Sequence, residues 1–253
     1  MSTTQTQMAP AEVTKAASEP QIPELTYTVA QTTEEKRDAL RLVADTIAQQ
    51  RQVASTSIIF HPAVLAPFLA VLAGLVYRSG RDLVGAVILV SGVIVAYLAS
   101  VQYYTYFYLQ RAENFNWRNF ITPSADKPEQ QDTVMFARYG DNIIATVVLR
   151  LDGAKNSSKK ALPLRGKGST ARIRAWATRL RYRGTGIGGD MLREAVAFAR
   201  SSLGPAADIE FSYPNAHTVD TTRHFTAPFA RREKRAQQAL AQAIKDVDAA
   251  ADR

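Results

Sequence analysis

Two uncharged stretches lie almost back to back in the chain, and they constrain its fold more than any other feature. Ile58 to Tyr77 contains no Asp, Glu, Lys or Arg, and neither does Leu83 to Leu109. Each is about as long as a helix needs to cross a hydrocarbon core of about 30 Å. The connector, Arg78-Ser79-Gly80-Arg81-Asp82, is polar and turn-like. This pattern predicts a two-helix transmembrane hairpin over residues 58–110, with both flanks on one side of the bilayer. Tyr103, Tyr104, Tyr106, Phe107 and Tyr108 close the second run as an interfacial aromatic belt does. Pro62 and Pro67 mark or bend the first run. Two buried core helices are one alternative, although runs of this length exceed what a small domain's core demands. A shallow hairpin that enters one leaflet and returns is another. Arg51 ahead of the pair, with Arg111 and Arg118 behind it, favours cytoplasmic flanks, against which stand Arg78 and Arg81 in the connector.

The rest of the chain alternates short strand and helix patterns. Residues 1–24 are rich in Thr, Gln, Ala, Ser and Pro and read as a disordered tail, without the basic region and apolar core of a signal peptide. Within 25–55, Leu25 to Ala30 alternates as a strand, and Thr32-Thr33-Glu34-Glu35 starts a helix running to about Gln52. Residues 111–132, with Pro123 and Pro128, read as a linker. In 133–219, two strands flank a Gly140-Asp141-Asn142 turn, and a lysine-rich loop to Ser169, read as mobile, follows. A strand, a glycine turn, a helix and a further strand from Ala207 to Tyr213 come next. Residues 220–253 form a charged helix with Ala239, Leu240, Ala243, Ile244 and Val247 on one face.

Composition removes several chemistries. The chain has no cysteine, which excludes disulfides, thiolate metal ligands and a cysteine nucleophile. His61, His217 and His224 are too scattered to suggest a metal site, so no metal is expected. A net charge of +8 suits nucleic acid, anionic lipid or a polyphosphate ligand without choosing among them. Arg231, Arg232, Lys234 and Arg235 lack the interleaved aromatics of a nucleic-acid module, so a solvated face or contact with anionic lipid is the expectation there.

The chemistry concentrates in ARIRAWATRLRYRGTGIGGDMLREAVAFARSSLG, Ala171 to Gly204. Ile173, Ala175 and Ala177 fall on one side of an alternating strand, with Arg174, Trp176 and Thr178 on the other. Gly184, Gly186, Gly188 and Gly189 make a bend, and Met191, Leu192, Ala195, Val196, Ala199 and Leu203 then recur at helical spacing. A strand, glycine turn and helix in this order present backbone N–H groups at a helix N-terminus, where phosphate is favoured. Arg179, Arg181 and Arg183 add positive charge. A P-loop is excluded, because Gly166-Lys167-Gly168-Ser169 only shares its letters. The dinucleotide pattern is met literally by Gly184, Gly186 and Gly189. Arginines interrupt its strand, however, and Asp208 opens the next strand rather than closing it.

Arg183-Gly184-Thr185-Gly186-Ile187-Gly188 resembles the R/Q-x-x-G-x-G/A acyl-CoA motif of the GNAT acetyltransferase superfamily. A glycine turn without a ligand is the bland alternative. The order of elements from Leu25 to Leu240, hairpin excluded, also resembles that family. The implied fold is α/β (α+β): a GNAT-like mixed sheet with flanking helices, interrupted by the hairpin, its C-terminal strands missing. The inserted hairpin resembles membrane-anchored N-acetyltransferases related to mammalian cysteine-conjugate acetyltransferase. The Ala48-Gln49-Gln50-Arg51-Gln52 and Phe60-His61-Pro62 stretches are similar to fungal endoplasmic-reticulum proteins that assist phosphate-transporter export.

The resemblance implies acetyl-CoA as co-substrate, cradled by Arg183, Gly184, Thr185, Gly186, Ile187, Gly188 and Gly189. It places Thr178, Arg179 and Leu180 beside pantetheine, and Asn215 as a further contact. A neutral amine would attack the thioester with help from a base and an acid, for which Glu210 and Tyr213, with His217 near them, are the candidates. No tyrosine follows Tyr213, so the family's usual tyrosine acid has no counterpart. The expected function is membrane-anchored N-acetylation of an amine acceptor, at the endoplasmic reticulum with the domain facing the cytoplasm and lipid around the hairpin. The alternatives are an inactive GNAT-like scaffold or chaperone with a membrane-protein client, and a tethered CoA-binding module.

Overall fold

In the computed structural model, which describes residues 23–80, 82–122, 131–152, 169–218 and 225–251, five strands form one sheet in sequence order. They are β1 (Leu25–Val29), β2 (Thr133–Tyr139), β3 (Asn142–Asp152), β4 (Thr170–Thr178) and β5 (Asp208–Phe211). The first three pairings are antiparallel, whereas β4 and β5 run parallel. A parallel neighbour needs a crossover, and helix α6 (Ile187–Leu203) supplies it. The expectations for the tail up to residue 22, the loop 153–168, Pro123 and Pro128, His224 and the start of the last helix lie outside the described residues.

Helix α1 (Thr33–Ile59) begins as the sequence predicts: Thr32 caps it, accepting from the Glu35 amide at 3.2 Å while Glu35 Oε2 accepts from the Thr32 amide. It does not stop at Gln52. Ala54 and Ile58 are buried, and the Ser55 and Thr105 hydroxyls pair at 3.1 Å, so α1 continues as a packed helix into the apolar segment. The turn at Phe60 and His61 then leads to α2 (Pro62–Ser79), with proline at a first-turn position where its missing N–H is not needed. Helix α3 (Leu83–Tyr104) completes the hairpin, and Phe68 stacks on Tyr97 at 4.2 Å between the two.

No residue of α2 is buried, and α3 buries only Ala86 and Val101. Leu69, Val71, Val76, Val84, Val87, Ile88 and Val95 are all more than half exposed, which disposes of the buried-core alternative. Both helices are long and apolar enough to cross a membrane. Residues 111–122 are more ordered than a plain linker: α4 (Tyr106–Glu113) and α5 (Trp117–Ile121) fill most of them. Asn116 caps α5, and Ile121 enters the core.

The sheet separates two cores. Met135, Ala145, Val147 and Leu149 meet Met191, Leu192, Ala195 and Val196 of α6 on one face, with Leu240 and Ala243 of α7 (Ala227–Ala251) joining them. Leu40, Val43 and Ile47 of α1 pack on Val134, Phe136 and Val148 on the other.

A bulge corrects the predicted strand faces. Val148 pairs with Ala175 and Leu149 with Ile173, which leaves Arg174 as the extra residue of β4. Ala171 and Ile173 therefore face α6, while Ala175 and Ala177 join the α1 core. Side chains do not keep one face through a bulge, so simple alternation failed here. The flip also turns Trp176 and Thr178 toward α6. Among the described residues no strand follows β5.

Candidate active site

Strands β4 and β5 pair over only four residues, Thr170–Ile173 with Asp208–Phe211. Beyond that, β4 continues to Thr178, while the chain leaves β5 through 212–218, tied back by Ser212 N–H to Ile173 O and Ala216 N–H to Arg174 O, both at 2.9 Å. A cavity of about 820 Å³ opens where the strands diverge. Trp176 and Thr178 line one wall and Phe211, Tyr213, Asn215 and His217 the opposite one. Thr46 and Gln50 of α1 close it from one side, and Thr226, Phe229, Arg232 and Arg235 from the other.

The glycine turn forms one end. Gly184 and Gly186 have φ of +83° and +92°, a region that costs a residue with a side chain about 1–2 kcal/mol. Gly186 caps α6, and its carbonyl accepts from the Gly189 and Asp190 amides at 2.8 and 3.1 Å. No side chain caps this terminus, so the Ile187 and Gly188 amides precede the helix's own hydrogen bonds and are available to an acceptor. The Thr185 hydroxyl donates to Tyr182 O at 2.7 Å and braces the turn. A Cβ on Gly188 would stand 3.1 Å from Trp176 Cζ2 and 3.3 Å from Thr178 Oγ1. Glycine thus allows α6 to approach β4, and the Trp176 indole donates to Gly188 O at 3.1 Å across the contact.

Positive charge collects beside this terminus. Arg183 donates to Thr178 O at 3.0 Å and to Gln49 Oε1 at 2.8 Å, both uncharged partners. Burial, and then the nearby Arg232 guanidinium, lowers its pKa from the usual arginine value. Like charges held together beside unpaired amides suit a polyanion such as the pyrophosphate of coenzyme A. The sequence gives Arg231, Arg232, Lys234 and Arg235 as one solvated or lipid-facing patch. The structure divides it, with Arg232 and Arg235 lining the cavity and the other two outside it.

His217 is held by three contacts. Its amide donates to Asn215 Oδ1 at 2.8 Å, and its carbonyl accepts from Gln50 Nε2 at 3.0 Å. Its Nε2 lies 2.8 Å from Thr46 Oγ1, whose single proton already goes to Val43 O at 2.8 Å. Assigning that proton to Val43 O makes Thr46 the acceptor, an assignment that puts the ring proton on Nε2 and the lone pair on Nδ1. Burial, followed by the Arg183, Arg111 and Arg232 charges, lowers the imidazole pKa to about 4, so the ring is neutral at pH 7.

Of the residues expected from sequence, Thr178, Arg183, Gly184, Gly186, Gly188, Gly189, Asn215 and Tyr213 line the cavity. Arg179, Leu180, Thr185 and Ile187 flank it without lining it. The Arg179 amide instead donates to Ile144 O at 2.8 Å, and Leu180 begins a short turn. Glu210 is also outside the lining, its carboxylate accepting from Arg172 Nε at 3.0 Å. Thr46, Gln50, Trp176, Arg232 and Arg235 were not foreseen. A threonine and a glutamine one turn apart on the otherwise apolar buried face of α1 were the available signal for the first two.

The acetyltransferase (GNAT) family model matches residues 94–224, just over half of the chain. This chain belongs to the GNAT acetyltransferase family. Similar solved structures include a ribosomal-protein-alanine N-acetyltransferase from Brucella melitensis biovar Abortus 2308, at 10% identity and a TM-score of 0.28, over 74% of this chain and 80% of that one. A possible acetyltransferase from Clostridium difficile 630 is likewise 10% identical, with a TM-score of 0.31 over 83% of this chain and 89% of that one. An aminoglycoside acetyltransferase from an uncultured soil metagenomic sample is 15% identical, with a TM-score of 0.27 over 47% and 68%. No curated protein matches the sequence.

GNAT acetyltransferases use acetyl-CoA as co-substrate. The open amides at Ile187 and Gly188 and the guanidinium pair beside them fit that group on their own evidence. The matched segment begins inside α3, so β1, α1 and α2 precede it.

Proposed function

We propose that this GNAT enzyme is a membrane-anchored N-acetyltransferase whose catalytic domain stands on the cytoplasmic face, where acetyl-CoA is available. The observation that supports the reading is the cavity between β4 and β5, with the uncapped α6 terminus at one end and a neutral histidine in its wall. Exposed apolar residues along α2 and α3 support the anchor.

Bound acetyl-CoA supplies an activated acetyl thioester to an amine nucleophile. Arg183, Arg232 and the Ile187 and Gly188 amides hold its phosphates, and Thr178 and Trp176 border the channel between the strands. His217 takes the amine proton at Nδ1, and its depressed pKa restricts that role to the acidic nitrogen formed once the new bond has begun. Thr46 fixes the ring and its tautomer. Tyr213, at the cavity rim, donates a proton toward the departing sulfur.

The test is calorimetric titration of the detergent-solubilised full chain with acetyl-CoA, followed by thiol release against a panel of primary amines. Micromolar binding lost in Gly186→Trp, together with amine-dependent thiol release, is the expected result. Binding without thiol release would replace the enzyme with a CoA-binding scaffold. No binding would end the acetyl-CoA reading altogether.

A further inference from the structure

The cavity and the membrane hairpin share a wall. Phe225 packs edge-on against His61, the residue that caps α2, with ring centroids 5.1 Å apart, and the next residue, Thr226, lines the cavity. Four residues on, Phe229 lines the cavity and stacks on Tyr108 at 6.2 Å. Tyr108 is itself buried, yet it belongs to the aromatic cluster whose other members, Tyr103, Tyr104, Tyr106 and Phe107, are exposed as an interfacial belt is. The segment 225–229 is therefore braced at the entry of one span and at the end of the other while forming the cavity's side.

Helix α1 sets the distance. Gln50 lines the cavity, and about ten residues of helix, about 15 Å, separate it from the turn at Phe60 where the first span begins. The headgroup region of a bilayer occupies about 5–8 Å of that rise. An amine held at the membrane surface is thus within reach of the cavity mouth, and the wall it passes is mostly the Phe225 and Phe229 rings, with the Thr226 hydroxyl between them. Such a wall suits a methylene chain better than a polypeptide backbone, whose N–H and C=O groups would go unpaired.

Resting on the acetyltransferase reading above, we propose that the acceptor is a long-chain primary amine resident in the bilayer, entering past Phe225 and Phe229. The amine nitrogen bonds to the acetyl carbon, the carbon–sulfur bond breaks, and the amine proton ends on the thiol of CoA.

The experiment uses the full chain reconstituted in phosphatidylcholine vesicles with radiolabelled acetyl-CoA. Octadecylamine in the bilayer is compared with hexylamine in solution and with a short peptide carrying a free N-terminus. The expected result is a kcat/KM for octadecylamine at least 10-fold above that for hexylamine. Its rate should also fall as the amine is diluted with phosphatidylcholine at constant bulk concentration. Equal use of hexylamine, indifference to surface dilution, or preference for the peptide would overturn the proposal. Absence of transfer to all three, with acetyl-CoA binding intact, overturns the acceptor class alone. Loss of acetyl-CoA binding overturns the acceptor proposal and the acetyltransferase reading together.

Discussion

His217 Nε2 lies 2.8 Å from Thr46 Oγ1, joining the turn after β5 to the helix that carries the chain into its apolar hairpin. With the Thr46 proton given to Val43 O, the imidazole donates at Nε2, and burial, followed by the Arg183, Arg111 and Arg232 charges, holds the folded pKa at about 4. The unfolded value is about 6.5. A histidine depressed in this way contributes stability that is fully present above about pH 6.5. That stability is lost as pH falls from there toward about 4, because the unfolded chain binds the proton first. Thermal unfolding of the detergent-solubilised chain should weaken by up to about 3 kcal/mol across that window. His217→Gln should flatten the dependence. An unchanged slope in the variant would place the titration elsewhere.

Gly186 should be intolerant where Gly189 is tolerant. Gly186 has φ of +92°, whereas no atom stands within 4 Å of a Cβ built at Gly189 and its φ is ordinary. Gly186→Ala should cost about 1–2 kcal/mol in stability and weaken acetyl-CoA by at least 10-fold by shifting the Ile187 and Gly188 amides. Gly189→Ala should be neutral or stabilising, since alanine favours a helix by about 1 kcal/mol over glycine. Calorimetry and thermal unfolding on the two variants check both statements.

The outline of the fold and the glycine turn were legible in the sequence because each rests on local pattern. Period-two and helical spacing marked β2, β3 and α6, and Arg183 to Gly189 marked the uncapped helix start. What pattern could not show was long-range. The bulge at Arg174 comes from register against β3, so Trp176 turns to α6 while Ala175 turns to α1. Thr46 and Gln50 meet His217 across some 170 positions, and no spacing records that. Arg232 looks like any charge on an exposed helix until α7 is laid along the cavity.

Asp132, just ahead of β2, should be a costly polar substitution. Its side chain is 2% exposed, receives Arg150 Nε at 2.8 Å and is also paired with Arg174, the bulge residue. Arg174 lies 4.3 Å over the Phe120 ring and borders the cavity. Asp132→Asn leaves two partly buried guanidiniums without their counter-charge, which costs about 3 kcal/mol or more. Urea unfolding should show that loss, while replacing Asp38, which pairs with its neighbour Arg37 at the surface, should change stability by less than about 1 kcal/mol.

Arg232 and Arg231 are neighbours in sequence and should differ in effect. Arg232 lines the cavity and its charge helps to lower the Arg183 and His217 pKa values, whereas Arg231 is outside the lining. Arg232→Gln should weaken acetyl-CoA about 10-fold, equivalent to about 1.4 kcal/mol. It should also reduce the dependence of binding on salt, because one fewer cation faces the ligand phosphates. Removing that charge raises the His217 pKa toward its unfolded value, so less stability should be lost between about pH 6.5 and 4 than in the unchanged chain. Arg231→Gln should alter none of these. Equal losses from the two substitutions would mean that the helix acts only through its overall charge, and that Arg232 has no place in the site.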